Sequence, residues 1–382
     1  MTPMSTRHRV LAVFLGIALT GCNDDPSSVN RTVADIQIMG VSDSIDFDST
    51  WVATATVTNV DGVPLDLPIT WSSSDPEILG VASDGTVRGL RPGGAYLRAS
   101  SGGRTDSLRI GVSLASCRTL GIFGEVGSNF RWAWVLPGSL ENAHGTPMQY
   151  METNALYAGG IAVGTTADTT LVAMYPAGGN SDFEGFVCNS PSDGAASHLV
   201  AVVQPRSNQP SIPGLRIVQD FFAYDTPSLD DFVITAYTFS NQGGVPISDL
   251  TVGYTADFDL YSSTNVASFD PATNAMDVIA PDSITNPIVT GVVFVDDAIT
   301  SYRSYTLGGM ETRQTIYGYM TGGMAGPNRT TPGDVRQVAA IAPFDLQPGE
   351  TRTVWIAIVG GENRSAFNQH VEQAKAWVRL IR

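Results

Sequence analysis

The residues best suited to chemistry are aspartates in one unusual stretch. From Ile217 to Tyr302 there is no Lys, Arg or His, yet twelve aspartates occur. They are Asp220, Asp225, Asp230, Asp231, Asp249, Asp257, Asp259, Asp270, Asp277, Asp282, Asp296 and Asp297. Without a local cation, a hard ion would satisfy them, and Ca²⁺ fits best because it takes six to eight oxygens from carboxylates, carbonyls and water. Asp257-Phe258-Asp259 is the leading candidate, since residues two apart share one face of a strand. The following loop adds Asn265, Asp270 and Asn274, so the expected metal ligands are Asp257, Asp259 and Asp270. The spacing is not that of an EF-hand. Two other readings stand beside this one. The acids would line solvated loops and keep an exported protein soluble, or a pair of them would serve glycoside hydrolysis.

Aromatic residues offer a second kind of site. Trp132 and Trp134 alternate with Arg131 and Ala133, so both indoles would share one strand face and stack on sugar rings. The alternative is a place in a core. Familiar hydrolase signals are absent: no G-x-S-x-G and no H-E-x-x-H occurs. His144, His198 and His370 lie far apart along the chain. The run Gly159-Gly160-Ile161-Ala162-Val163-Gly164 has no lysine beside it, so close strand packing or a bulge suits it better than a phosphate cradle. The only lysine is Lys375, which removes a P-loop or a mid-chain Schiff base. A net charge of −16 repels nucleic acid, which is not an expected partner.

These residues must be positioned by a chain of 382 residues, 43% hydrophobic and 15% charged, with 39 Gly and 22 Pro. That is core material for two or three domains with many turns. At the N-terminus, Arg7 and Arg9 precede the apolar run Val10 to Leu19, too short for a permanent span. Leu19-Thr20-Gly21-Cys22 comes next. It resembles the lipobox of bacterial lipoproteins, which implies cleavage before Cys22, lipid attachment at Cys22 and anchoring to a membrane by several acyl chains. Residues 1–21 are then a signal peptide and 22–31 a tether. The expected location is a bacterial cell envelope, the outer membrane favoured over the inner, with the face left open. Export makes a disulfide between Cys117 and Cys188 plausible, against two separate buried thiols.

Residues 32–115 carry a period of two. Trp51, Ala53, Ala55 and Val57 form one face; Ala95, Leu97 and Ala99 alternate with Tyr96 and Arg98; Leu108, Ile110 and Val112 alternate with Arg109 and Gly111. Asp61-Gly62, Asp84-Gly85 and Pro92-Gly93-Gly94 supply turns. The segments Ile69-Thr70-Trp71-Ser72-Ser73-Ser74-Asp75-Pro76, Val81-Ala82-Ser83-Asp84-Gly85-Thr86-Val87 and Gly94-Ala95-Tyr96-Leu97-Arg98-Ala99 come in the order of the bacterial Ig-like domain, group 2, and the stretch resembles that family. The resemblance implies a small sandwich in a structural or adhesive role, with no catalytic residues. Trp71 is then a core aromatic.

Residues 116–382 read as a larger antiparallel β-sandwich of unknown function, with a subdivision near residue 205 as an alternative because Gln204 to Gly214 holds three prolines. Thr353 to Val359 is apolar on both faces and should be a central strand. Gln347-Pro348-Gly349-Glu350 before it is a turn with Gly349 at the positive-φ position. A single C-terminal helix is expected, capped by Ser365, with Phe367, Val371, Ala374 and Val378 on one face and Trp377 near the seam.

The fold class is therefore all-β: an Ig-like sandwich followed by a larger sandwich with one C-terminal helix. The functional expectation is a lipid-anchored envelope protein whose Ig-like spacer presents a binding module for a polysaccharide or a surface protein. The rivals are a carbohydrate-active enzyme with an aspartate acid/base pair and a structural envelope component.

Overall fold

The computed structural model describes residues 31–113, 118–119, 122–124, 129–131, 133–136, 139–141, 148–174, 181–187, 198–224, 226–280, 287–306, 311–325 and 331–381, with backbone alone for the strand residues between 118 and 141 and for residues 187, 198 and 199. Cys22, Cys117, Cys188, Trp132, His144, Asp225 and Asp282 lie outside the described residues.

Among the described residues the chain is all-β apart from two helices. Residues 33–113 form a small sandwich of short sheets. Gly93–Ser101 and Arg104–Ser113 make an antiparallel hairpin that buries Ala95, Leu97, Ala99, Ile110 and Val112. The period of two thus separates a core face from a solvent face. Trp71 is half-buried between two apolar clusters.

This unit is not a free spacer. Phe186 and Val202 of the larger part belong to its core cluster, and Phe47 meets the Phe186 ring edge-on at 5.0 Å between centroids. Asp48 accepts from both Arg88 and Arg216, and Arg91 reaches the Pro205 carbonyl.

Among the described residues the larger part is two packed sheets of nine and twelve strands, antiparallel except where Met324–Ala325 pairs in parallel with Ile299–Thr306. Phe221, Tyr237, Val354 and Ile356 of the first meet Ile161, Tyr254, Phe258 and Ala339 of the second in one buried layer. Thr351–Gly361 lies between Phe232–Asn241 and Val289–Phe294 inside the nine-stranded sheet. It is the central strand its two apolar faces require. Gly349 before it has φ +84°, and Glu350 N–H donates to the Gln347 carbonyl at 2.9 Å. Gly159 admits close packing, since a Cβ there would lie 2.8 Å from the Tyr254 ring. Residue 205 is not a boundary: His198–Pro205 pairs with Leu215–Ala223 in one sheet, so the proline-rich segment is a connection between neighbours.

A helix covers the outer face of each sheet. Helix α2 (Arg364–Ile381) buries Phe367, Val371, Ala374, Trp377 and Val378 against the nine-stranded sheet. Its cap is Asn363 and not Ser365: Asn363 Oδ1 accepts from Ala366 N–H at 3.0 Å, and the helix begins one residue later. Helix α1 (Arg313–Thr321), not expected from the sequence, is capped by Thr312 and packs Ile316 and Met320 on the twelve-stranded sheet.

The described pairing also bears on the cysteines. Arg118 lies opposite Val187, and Thr119 opposite Phe186. Cys117 and Cys188 adjoin this pair in sequence and are themselves outside the described residues. The bridge expected from export predicts that maleimide labels neither thiol in the oxidised chain and both after reduction, read by mass. Full labelling without reductant would remove the bridge.

Candidate functional site

The site begins with the alternation of one long strand. In Ile247–Phe258, Val252, Tyr254, Ala256 and Phe258 face the layer between the sheets. Gly253, Thr255 and Asp257 therefore point to the outer face. A Cβ on Gly253 would meet Met320 of α1 at 3.0 Å, which confirms that this is the helix-covered face. The neighbouring strand Val335–Ile341 sends Val338 and Ala340 to the same face, and so Arg336 also.

Register then builds a row. Ala158 lies opposite Asp257, Asp257 opposite Arg336, and Arg336 opposite Tyr305. Thr153–Gly164 carries a register shift between Leu156 and Ala158. The extra residue is Tyr157, which is exposed. Such bulges re-aim side chains beside functional sites. On the far side, Tyr305 packs on Tyr319 of α1 with centroids 5.0 Å apart.

Carboxylates converge on this row. Single oxygens of Asp257, Asp259 and Asp334 all lie within 4.8 Å of one another. Asp257 is 2% exposed, while Asp259 is half-buried and Asp334 exposed. Arg336 donates to Asp257 Oδ2 at 3.0 Å and also bonds Asp334. Asp257 Oδ1 is buried and has no hydrogen-bond partner among the described residues. One guanidinium thus faces three carboxylates, with Glu311 close enough to add its charge.

The electrostatics arise from that imbalance. Burial pushes the Asp257 carboxyl up to about 7; Arg336 opposes the shift, and Asp259, Asp334 and Glu311 add to it. Asp259 is raised by burial and then by Asp334, against Arg336. Such displacement by desolvation and like charge is common at sites that hold protons or ions.

Asp257 and Asp259 come together as the strand period requires. Asp270 does not join them. It ends Val266–Asp270 in the nine-stranded sheet, where its carboxylate accepts from Ala272 N–H at 2.8 Å and stabilises the hairpin turn. The third acid is Asp334. Asn265 stays beside it through paired backbone bonds to Gly333, with Nδ2 donating to the Phe258 carbonyl at 3.1 Å. Asn274 is structural: its amide donates to the Phe294 and Asp297 carbonyls. Trp134 is described by backbone pairing alone, opposite Glu141.

Other acids in the 217–302 stretch find cations from distant parts of the chain. Asp277 is held by Arg364 at 2.8 Å, Asp297 by Arg352, and Asp231 meets His370 at 3.3 Å. These pairings are invisible in local sequence. Asp334 and Arg336 carried one readable signal, an i, i+2 spacing across the start of a strand.

No family model matches the sequence, and no curated protein matches it. Among solved structures, a protein provisionally described as an aldose 1-epimerase from Escherichia coli K12 superimposes with a TM-score of 0.37 at 9% identity, over 64% of this chain and 99% of that one. The aldose epimerase homologue from C. elegans gives 0.34 at 10% identity, over 65% and 100%. An inverting mannosidase from Bacteroides thetaiotaomicron gives 0.32 at 10%, over 69% of this chain and 32% of that one. Likenesses of this size assign no activity.

Proposed function

We propose that the chain is a lipid-anchored protein of a bacterial cell envelope whose larger sandwich binds Ca²⁺, and through it a polysaccharide, on the outer face of the twelve-stranded sheet. Asp257 carries the reading: it is buried, one of its oxygens has no protein partner among the described residues, and two further carboxylates stand beside it. The donors are all oxygen, which suits a hard cation. Arg336 alone does not balance them. The Leu19-Thr20-Gly21-Cys22 segment supports the anchor, and the motifs of residues 32–115 support an Ig-like unit. No helix among the described residues is long and apolar enough to cross a membrane.

The test is a thermal melt of the mature chain in millimolar Ca²⁺ and in chelator. An ion present at a hundred times its dissociation constant adds about 2.7 kcal/mol. That raises the midpoint by roughly 5–10 °C, at about 2–4 °C per kcal/mol. Asp259→Asn and Asp334→Asn should each abolish the shift. Coincident melts of the unsubstituted chain would sink the cation reading.

A second reading rests on the carboxyl of Asp257, pushed up to about 7 beside Asp259. A carboxyl that keeps its proton up to about 7 beside a second carboxyl is the kind of pair that glycoside hydrolysis uses. Turnover of a polysaccharide, lost in Asp257→Asn, would favour it over simple binding.

A further inference from the structure

We infer that Asn265 is the positioning residue of the acidic cluster: it fixes the distance between the segment that carries Asp257 and Asp259 and the segment that carries Asp334. The inference rests on the cation reading above and extends it to how the ligands are held in place for the ion.

The need for such a residue follows from the ladder. Asp257 lies opposite Arg336, and this is the final matched pair at this end of Ile247–Phe258 and Val335–Ile341. Asp259 and Asp334 both lie just outside those strands. Ladder hydrogen bonds between the two strands therefore stop short of both. Asp259 N–H donates to the Ala155 carbonyl at 3.1 Å. That bond ties the first segment to the strand on its other side and leaves its distance from Asp334 unset.

Asn265 closes the gap from both sides. Its backbone N–H donates to the Gly333 carbonyl at 2.9 Å, and its own carbonyl accepts from Gly333 N–H at 3.0 Å. Gly333 is the residue before Asp334. Its side-chain Nδ2 donates to the Phe258 carbonyl at 3.1 Å and to the Ser262 carbonyl at 2.8 Å. Phe258 is the residue between Asp257 and Asp259. One residue thus grips each segment at the position next to its carboxylates. Asn265 is fully buried, where a hydrogen bond is stronger than in water. Turning its amide over would set an oxygen against two carbonyl oxygens, so the orientation is fixed. Both amide donors are used. Oδ1 is buried and has no hydrogen-bond partner among the described residues. An unpartnered buried oxygen is a cost that a purely structural amide would avoid. Beside a cation it is a neutral oxygen of the kind that Ca²⁺ accepts.

The energetic role is preorganisation. Carboxylates brought together without an ion repel one another. A clamp that holds them near their final spacing lowers the ordering cost of binding. Groups that orient metal ligands from behind typically change metal affinity by about 10- to 100-fold.

Terbium luminescence of the mature chain tests this. Tb³⁺ stands in for Ca²⁺, and its lifetimes in H₂O and D₂O count the waters left on the ion. Asn265→Ala should weaken Tb³⁺ and competing Ca²⁺ about 10- to 100-fold. It should also add about one bound water for each carboxylate oxygen lost from the shell. Asn265→Ser keeps one donor and should fall between, and it carries the test alone if the alanine variant fails to fold. Melts in chelator show which variants are folded. Asn274→Ala removes a different clamp, the amide that donates to the Phe294 and Asp297 carbonyls. It should lower the melting temperature and leave affinity and water count unchanged. Unchanged affinity and water count in a folded Asn265 variant would overturn the positioning role and leave the cation site standing. Equal weakening by Asn274→Ala would make the effect one of general stability and overturn it too. No binding of either ion by the unsubstituted chain would remove the reading on which the inference rests.

Discussion

Freed of divalent cations, the chain should lose about 4 kcal/mol of stability through Asp257 alone as pH rises from about 4 to about 8. The carboxyl moves from its ordinary 3.8 up to about 7 in the folded protein, and each pKa unit corresponds to 1.36 kcal/mol. The native state holds this proton more tightly than the unfolded chain. The stabilisation is therefore complete below pH 3.8 and is lost progressively as pH climbs through about 7. Asp259 is raised as well and acts with the same sign. Asp257→Asn removes the titration, so the gap between wild type and variant should move in the variant's favour by about 4 kcal/mol across the window. In melting temperature that is on the order of 10 °C. At the proposed cation site, millimolar Ca²⁺ should cancel the loss, because an ion binds a carboxylate and not the acid. Wild-type and variant curves that run parallel from pH 4 to pH 8 would show that Asp257 is not displaced.

The second large effect lies on the opposite sheet. Asp277 is fully buried, and Arg364, the first residue of α2, holds both of its oxygens at 2.8 Å. Ser268 donates to the same carboxylate at 2.6 Å. Removing one partner of a buried pair leaves an uncompensated charge and costs about 3–5 kcal/mol. Arg364→Ala should therefore destabilise by that amount in urea denaturation. Adding Asp277→Ala should restore part of the loss, since the stranded charge is then gone. A single substitution costing under about 1 kcal/mol would mean that water, and not Arg364, solvates Asp277.

Much of the fold was legible because it obeys period. Two-residue alternation marked Gly93–Ser101 and Arg104–Ser113, and an apolar run marked the central strand Thr351–Gly361. Helical spacing identified α2, although Asn363, one residue outside the helix, turned out to be its cap. Helix α1 was missed because it buries only Ile316 and Met320 and carries Gly318 in its middle. Half of the site was legible for the same reason: Asp257 lies near the end of a strand and Asp259, one residue past that end, is two residues on. Arg336 comes from a strand far along the chain, with Asp334 just before that strand, and only sheet register brings them to Asp257. Asp270 was nominated by proximity in sequence, but the chain crosses to the other sheet before reaching it. The apparent lack of cations in the 217–302 stretch was likewise a property of the sequence and not of the fold, since Arg336, Arg352 and Arg364 arrive from elsewhere.

The shared core at Phe186 and Val202 has a consequence for modularity. An Ig-like unit joined to its neighbour only by a linker can be exchanged, duplicated or deleted without harm to the rest of the chain. Here those two side chains complete a hydrophobic cluster of the first unit, and Arg216 takes its carboxylate from Asp48. Deleting residues 31–113 would bare Phe186 and Val202 and leave Arg216 without Asp48. Such an exposed apolar patch favours self-association. The two units are therefore a matched pair: a different unit in the first position would need counterparts of Asp48 and Phe47 before the sheets behind it could pack as they do now.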